Sequence, residues 1–429
     1  MRGLFFLSLI AVFLIAGIKA PYFFVLGYVW ASILTPQFVA YNIVTSLPIS
    51  LIFGGASLFS LLFRKKEIHE VFTSQQIVLL IFAAWMTLTL LWAEVPDDAL
   101  VKWDSAIKTV VFSALMPMFF RRKLHLELLI WVIVLSGVAH CLPFAAKVLL
   151  SGGGYGIPLG LVMMNSGLGE GSTMAMFAVM LIPFCLFLYK HQTILPYQWF
   201  VKLVLLGFAL ACILTSIGTY ARTGLISLVV LGGLLLLKTK NILRNIFLVI
   251  LLVVAAYFGV EDGWIERMLT IQDGTEASAM GRVAVWKWVL EYIPHNPWGG
   301  SFGMYRINSY NLLLPNGEYL SVAAKAFHSI YFEVLGETGI PGLAMYLLVI
   351  ALVYRSLVSV KQKALGLGLQ DLSALAEATR IAMVVYLVAG LFVGVAFQFF
   401  LYYLLVISAV LVNIMRLQES KNESAERRK

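Results

Sequence analysis

The chain has 429 residues, 61% of them hydrophobic and 12% charged, with a mean hydropathy of +0.91 and a formal net charge of +9. A water-soluble fold of that length needs far more polar surface, so the composition excludes a soluble globular protein and points to a membrane protein. The positive balance would suit nucleic acid, but its distribution along the chain argues against that use.

Apolar runs long enough to cross about 30 Å of hydrocarbon, roughly 17 to 25 residues as helix, predict spans at 4–20, 38–63, 76–93, 105–120, 127–149, 173–189, 199–216, 223–237, 245–260, 340–358, 381–398 and 400–415. The expected fold class is an all-α polytopic membrane protein of about twelve transmembrane helices with one large loop containing short helices. Tyr22 to Leu34 is apolar but short, and Lys19-Ala20-Pro21 separates it from the first run, so it reads as a re-entrant or interfacial piece. The first run lacks a small-residue cleavage site before Lys19, so no cleavable signal peptide is expected. The chain divides into a first transmembrane region at 1–259, a polar loop at 260–339, the last helices at 340–416 and a basic tail at 417–429.

The bases fall in alternate loops. Arg2, Arg64 to Lys66, Arg121 to Lys123, Lys190, Lys202, Lys238, Lys240, Arg244, Arg355, Lys361, Lys363, Arg380 and the tail place 21 of the 31 Lys and Arg on one side, which the positive-inside bias makes cytoplasmic. The net charge is thus an insertion signal. The polar loop then faces outward, toward the periplasm of a bacterium. Cys141, Cys185 and Cys212 lie inside apolar runs, where sulfur packs as a small hydrophobe, and no Cys or His pair has zinc-ligand spacing.

In chain order, Pro96-Asp97-Asp98 reads as an acidic outward turn rather than a metal site, because Mg²⁺ needs further oxygen ligands. Ser151 to Gly156 is a glycine-rich hinge without the Lys and Ser/Thr of a nucleotide loop. Glu170-Gly171-Ser172 is either a cavity lining or an N-cap. Arg222, at the mouth of an apolar helix, is costly unless it snorkels, pairs or faces a wet cavity; on the residues alone, anchor and site residue are equally supported. In the loop, Met280 to Trp288 has helical spacing that puts Arg282, Trp286, Val289 and Ile293 on one face, as in a helix lying on the membrane surface with Arg282 at headgroup depth. His295 reads as a turn residue, and His69, His125, His140 and His191 lie in cytoplasmic turns or a span. His328 is outside the membrane before a helix-like run, and an ordinary imidazole pKa of about 6.5 suits a general base.

His328-Ser329, nine further residues and Gly339-Ile340-Pro341-Gly342 together resemble the H-[NSQ]-x9-GxxG signature of the bacterial O-antigen ligase family, which also contains related polymerases and protein O-glycosylation ligases. Ala221-Arg222-Thr223-Gly224 resembles that family's S/A-R-[ST]-G element. Gly281-Arg282 before Trp286, then Asn296 to Gly303, resembles its arginine segment and P-x-G-x-G-like turn, here looser at Gly299-Gly300 and Gly303. The opening of the chain, with Lys19-Ala20-Pro21 and Thr35-Pro36, looks like the exosortase-associated branch.

The resemblance implies His328, Arg222 and Arg282 as catalytic residues. Tyr220, Trp286, Ser329, Arg306 and Lys325 are weaker candidates for substrate contact; for Arg306 and Lys325 the anionic bilayer surface is the plainer partner. The implied activity is transfer of a glycan from undecaprenyl pyrophosphate to a lipid A-core sugar, with no metal, cofactor or nucleic acid. A polymerase or a protein O-glycosylation ligase is the alternative, and a transporter the rival from another class, although the two similar halves expected of a transporter are not seen.

Overall fold

Hydrocarbon offers no partner for a backbone N–H or C=O, so an apolar chain must satisfy those groups within helices. The structure, a computed structural model, describes residues 2–40, 43–63, 72–154, 167–237, 277–313 and 319–426. Its helices are α1 (Arg2–Lys19), α2 (Tyr22–Leu34), α3 (Ile49–Phe63), α4 (Ser74–Leu88), α5 (Pro96–Leu115), α6 (Lys123–Ser151), α7 (Gly171–His191), α8 (Gln198–Gly218), α9 (Arg222–Leu236), α10 (Ala277–Tyr292), α11 (Ile330–Gly366), α12 (Gln370–Ala389) and α13 (Phe399–Glu426). The strands described are β1 (Ser309–Leu313) and β2 (Tyr319–Ala323), an antiparallel pair in which Asn311 faces Ser321.

Among the described residues, eight helices are long and apolar enough to cross a membrane: α1, α4 with its 3-10 extension to Trp92, α6, α7, α8, α11, α12 and α13. The shorter α2, α3 and α9 are also apolar. α5 has the length but carries Asp97, Asp98, Lys102, Asp104 and Lys108. The run at 38–63 is not one helix: one-turn helices Pro36–Val39 and Ile43–Ser46 precede α3, which starts directly after Pro48, whose ring fixes φ and lacks an N–H. The run at 340–358 is the second part of α11, and that at 381–398 ends as helix at Ala389. The expected span at 245–260 and the opening of the polar loop lie outside the described residues.

α7 and α13 are buried over most of their surface and form the centre, against α6, α11 and α12. The three cysteines are free and buried there, as their apolar runs predict. A satellite cluster around Phe6, Trp30 and Phe53 joins α1, α2 and α3. At the end of the bundle where α6 and α12 begin, Lys123 meets Asp371 at 3.0 Å and Glu127 accepts hydrogen bonds from the backbone N–H and hydroxyl of Thr193, both at 2.6 Å. Ser151, Glu170 and Ala389 stand at the other ends of their helices.

That other end is organised by a bend in α11. Gly339 has φ 69° and ψ −170°, a backbone state closed to side chains, and the first nine residues of α11 tilt away from the rest. The bend receives the turn after α10: Ile340 N–H donates to Pro297 O at 2.9 Å, and Gly300 N–H to Gly336 O at 2.9 Å. The indoles of Trp85 and Trp92 donate to Thr338 O at 2.8 Å and Gly299 O at 3.2 Å, fastening the same turn to α4. A Cβ on Gly339 would fall on the Pro297 carbonyl. Gly339→Ala therefore combines backbone strain with a clash and should cost about 3 kcal/mol or more, read as a fall in unfolding temperature in detergent. Gly366→Ala, where a Cβ meets open space, should leave that temperature within a degree or two.

Candidate functional site

The segment between β2 and α11 carries His328 in the left-handed region, φ 47°, a state uncommon for a residue with a Cβ. Both flanks are held. Trp286 of α10 donates its indole N–H to Phe327 O at 2.8 Å and stacks on Phe332 with ring centroids 5.1 Å apart and planes 4° from parallel. Ile330 N–H donates to Gly390 O at 2.8 Å. Val285, Val289 and Ile293 bury the same side of α10 against Met304 and Phe327. The predicted face of α10 thus exists and packs on protein, with Trp286 steadying the histidine segment.

His328 borders a cavity of about 310 Å³ whose lining includes Lys102, Glu170, Tyr305, Glu333 and Gln398. Its Nδ1 lies 3.9 Å from Glu170 Oε1, too far for a hydrogen bond but close for charge. Burial, helped by the positive charges of Arg282 and Lys325 and opposed by Glu333, lowers the imidazole pKa from 6.5 to about 4. His328 is therefore neutral at physiological pH. Burial raises the carboxyl pKa of Glu170, and Arg282 pulls it back. Arg282 acts on both groups, and its Nε is buried with no hydrogen-bond partner among the described residues.

The cavity floor is an ion cluster. Lys102 Nζ stands 2.7 Å from Glu333 Oε1 and 2.8 Å from Glu337 Oε1, with Glu337 fully buried and Glu333 9% exposed. Glu333 Oε2 accepts from Ala396 N–H at 2.9 Å, and Glu337 Oε1 from Gly303 N–H at 3.2 Å. One lysine thereby joins α5, α11, the Gly299–Gly303 turn and the segment after α12. These residues were not among the sequence candidates. The available signal was two carboxylates four apart in an apolar helix, since ionisable groups in such helices are site candidates by default.

Of the weaker candidates, Lys325 lies by the site through its charge on His328, while its backbone is pinned by Asn308 at 2.7 and 2.9 Å. Ser329 is buried at the N-cap of α11, its hydroxyl making no cap bond. Arg306 is ion-paired to Asp98, which occupies both the base and the acidic turn. Arg222 opens α9 and Tyr220 is buried in the turn before it, at φ 53°. Neither lines the cavity. Their turn is nevertheless at the same end, since a Cβ on Gly224 would meet Ala175 Cβ of α7 at 3.0 Å, one turn and a half from Glu170. The structure thus groups His328, Arg282 and Lys325 and sets Arg222 on the neighbouring helix mouth.

The remaining described histidines have structural settings: His140 Nε2 lies 3.1 Å from Ile33 O, His125 stacks on Tyr22, His191 on Phe187, and His295 closes a turn through Tyr292 O. A larger cavity of about 550 Å³ between α2, α3 and α5 is lined by Tyr28, Leu47, Ile107, Val111 and Phe112. Its one charged group among the described residues, Lys108, is paired with Asp104 at 2.6 Å. Size alone would choose it, but the titratable groups that can do chemistry converge on the smaller one.

Comparison with known families matches residues 206–347 to the O-antigen ligase family and residues 1–193 to a family of unknown function, DUF5935. The first stretch contains Arg222, Arg282, His328 and the Gly339 bend. No curated protein matches the chain. Lys102→Met strands two buried carboxylates and should destabilise the protein by about 3 kcal/mol, measured as unfolding temperature in detergent. Adding Glu337→Gln to that variant should recover part of the loss.

Proposed function

Residues 206–347 belong to the O-antigen ligase family, and from that premise we propose that this multi-pass membrane protein is an inverting, metal-independent glycosyltransferase. It moves a glycan from undecaprenyl pyrophosphate to a sugar of the lipid A core, at the periplasmic face of the bacterial inner membrane, in lipopolysaccharide assembly. The observation that carries the reading is His328, strained in its backbone, neutral, and bordering a polar cavity within the field of the Arg282 guanidinium.

In this reading the acceptor hydroxyl oxygen attacks the anomeric carbon as the bond to the pyrophosphate oxygen breaks, and the configuration inverts. The hydroxyl proton passes to His328, and Glu170, 3.9 Å from Nδ1, stabilises the imidazolium that results. The leaving polyprenyl pyrophosphate takes the developing negative charge. Arg282, with an unsatisfied buried Nε, and Arg222 supply guanidinium contacts to it. A base with a pKa near 4 is weak in the empty site; bound pyrophosphate offsets the cations that depress it and strengthens it when the acceptor is present.

Transfer is tested with purified protein, a polyprenyl pyrophosphate glycan and lipid A core in detergent. His328→Ala should lower kcat about 10²- to 10⁴-fold, and retained activity removes the base assignment. Arg282→Ala and Arg222→Ala should raise the donor KM roughly 10-fold or more, with a smaller effect on the acceptor. A product extended on a second lipid-linked glycan would make the protein a polymerase. The neutral imidazole is the active form, so activity is lost as pH falls through the pKa. The acid limb of kcat/KM, which reports the free enzyme, should lie well below pH 6.5, and that of kcat above it on the pH scale.

A further inference from the structure

The charges around His328 are divided. Arg282 and Lys325, which depress its pKa, do not line the cavity, whereas Glu170 and Glu333 do. Lys102 also lines it, but is committed to Glu333 and to Glu337 beneath. Counting Lys102, Glu170 and Glu333, the lining carries one net negative charge among the described residues. The other polar lining groups are the Gln398 amide and Tyr305, and the Gln398 Oε1 is buried with no hydrogen-bond partner among the described residues.

A wall of carboxylate and amide oxygens accepts hydrogen bonds from hydroxyl groups and repels phosphate and carboxylate. At about 310 Å³ the space is at the small end of ligand pockets. We infer that this cavity is the acceptor subsite and that it admits an uncharged or amino-bearing polyhydroxyl group while rejecting an anionic one, so that the pyrophosphate and the acceptor occupy opposite sides of His328. The inference rests on the transferase reading for its use and adds the charge class of the acceptor. Glu170 is the specificity-determining residue best suited to test it: half exposed, at the N-cap of α7 and without a cap hydrogen bond, it can be changed at little cost to folding.

The probes are methyl glucoside, methyl glucoside 6-phosphate and methyl glucuronide, used with the full-length protein in detergent. Saturation-transfer NMR without donor should show binding of the neutral glycoside at least tenfold stronger than that of either anionic one. Glu170→Gln should narrow that ratio severalfold, and in transfer assays with a polyprenyl pyrophosphate glycan it should narrow the neutral-to-anionic ratio likewise. The ratio is internal to each variant, so any change in the base affects both acceptors alike. Equal or tighter binding of the phosphate probe, absence of binding by all three, or a ratio unmoved by Glu170→Gln overturns the inference. Selective binding without transfer from any donor would instead overturn the transferase reading and leave the subsite standing.

Discussion

Two buried carboxyl groups on one helix are costly to leave unpaired, and Lys102 is the cation brought to them. Removing an ion from water costs several kcal/mol even after relaxation, so the helix that carries Glu333 and Glu337 can pack only where α5 delivers the ammonium group within 2.7 and 2.8 Å. Backbone N–H groups of Gly303 and Ala396 take up further carboxylate lone pairs. The result is a charged knot at which α5, the bent start of α11 and two irregular segments are forced to meet. His328 lies five residues before Glu333, and its position follows from that meeting.

The neighbouring constraint is steric. Gly339 lets α11 bend, the bend admits the Pro297–Gly300 turn, and tryptophans from α4 and α10 tie both sides down. The glycines of the H-S-x9-GxxG pattern are therefore packing residues. They set the direction of the nine-residue helical start whose first turn follows the histidine. Strain at His328 is sustained because the flanking backbone is hydrogen-bonded to α10 and to Gly390.

Electrostatically the surroundings of His328 are divided between cations and carboxylates. Arg282 has a buried guanidinium nitrogen without a partner among the described residues, and its field adds to the burial that lowers the imidazole pKa. An anion would satisfy that nitrogen, which is why the proposed reading assigns Arg282 to the pyrophosphate. The carboxylates on the cavity side give the same histidine a second neighbourhood of opposite sign.

The amino-acid sequence by itself determined the membrane class, because apolar runs of sufficient length admit few other folds. It also singled out His328, Arg222 and Arg282 as candidates, through short local patterns that resemble a known family. It could not tell that Trp286 packs on Phe332, that Arg306 is occupied by Asp98, or that the run at 38–63 is broken into pieces. Lys102 and Glu333 are separated by more than two hundred positions, and no periodicity links them. Their pairing, and with it the cavity beside His328, was decided only by tertiary structure, since the energy of a buried ion depends on what surrounds it in space and not on its neighbours along the chain.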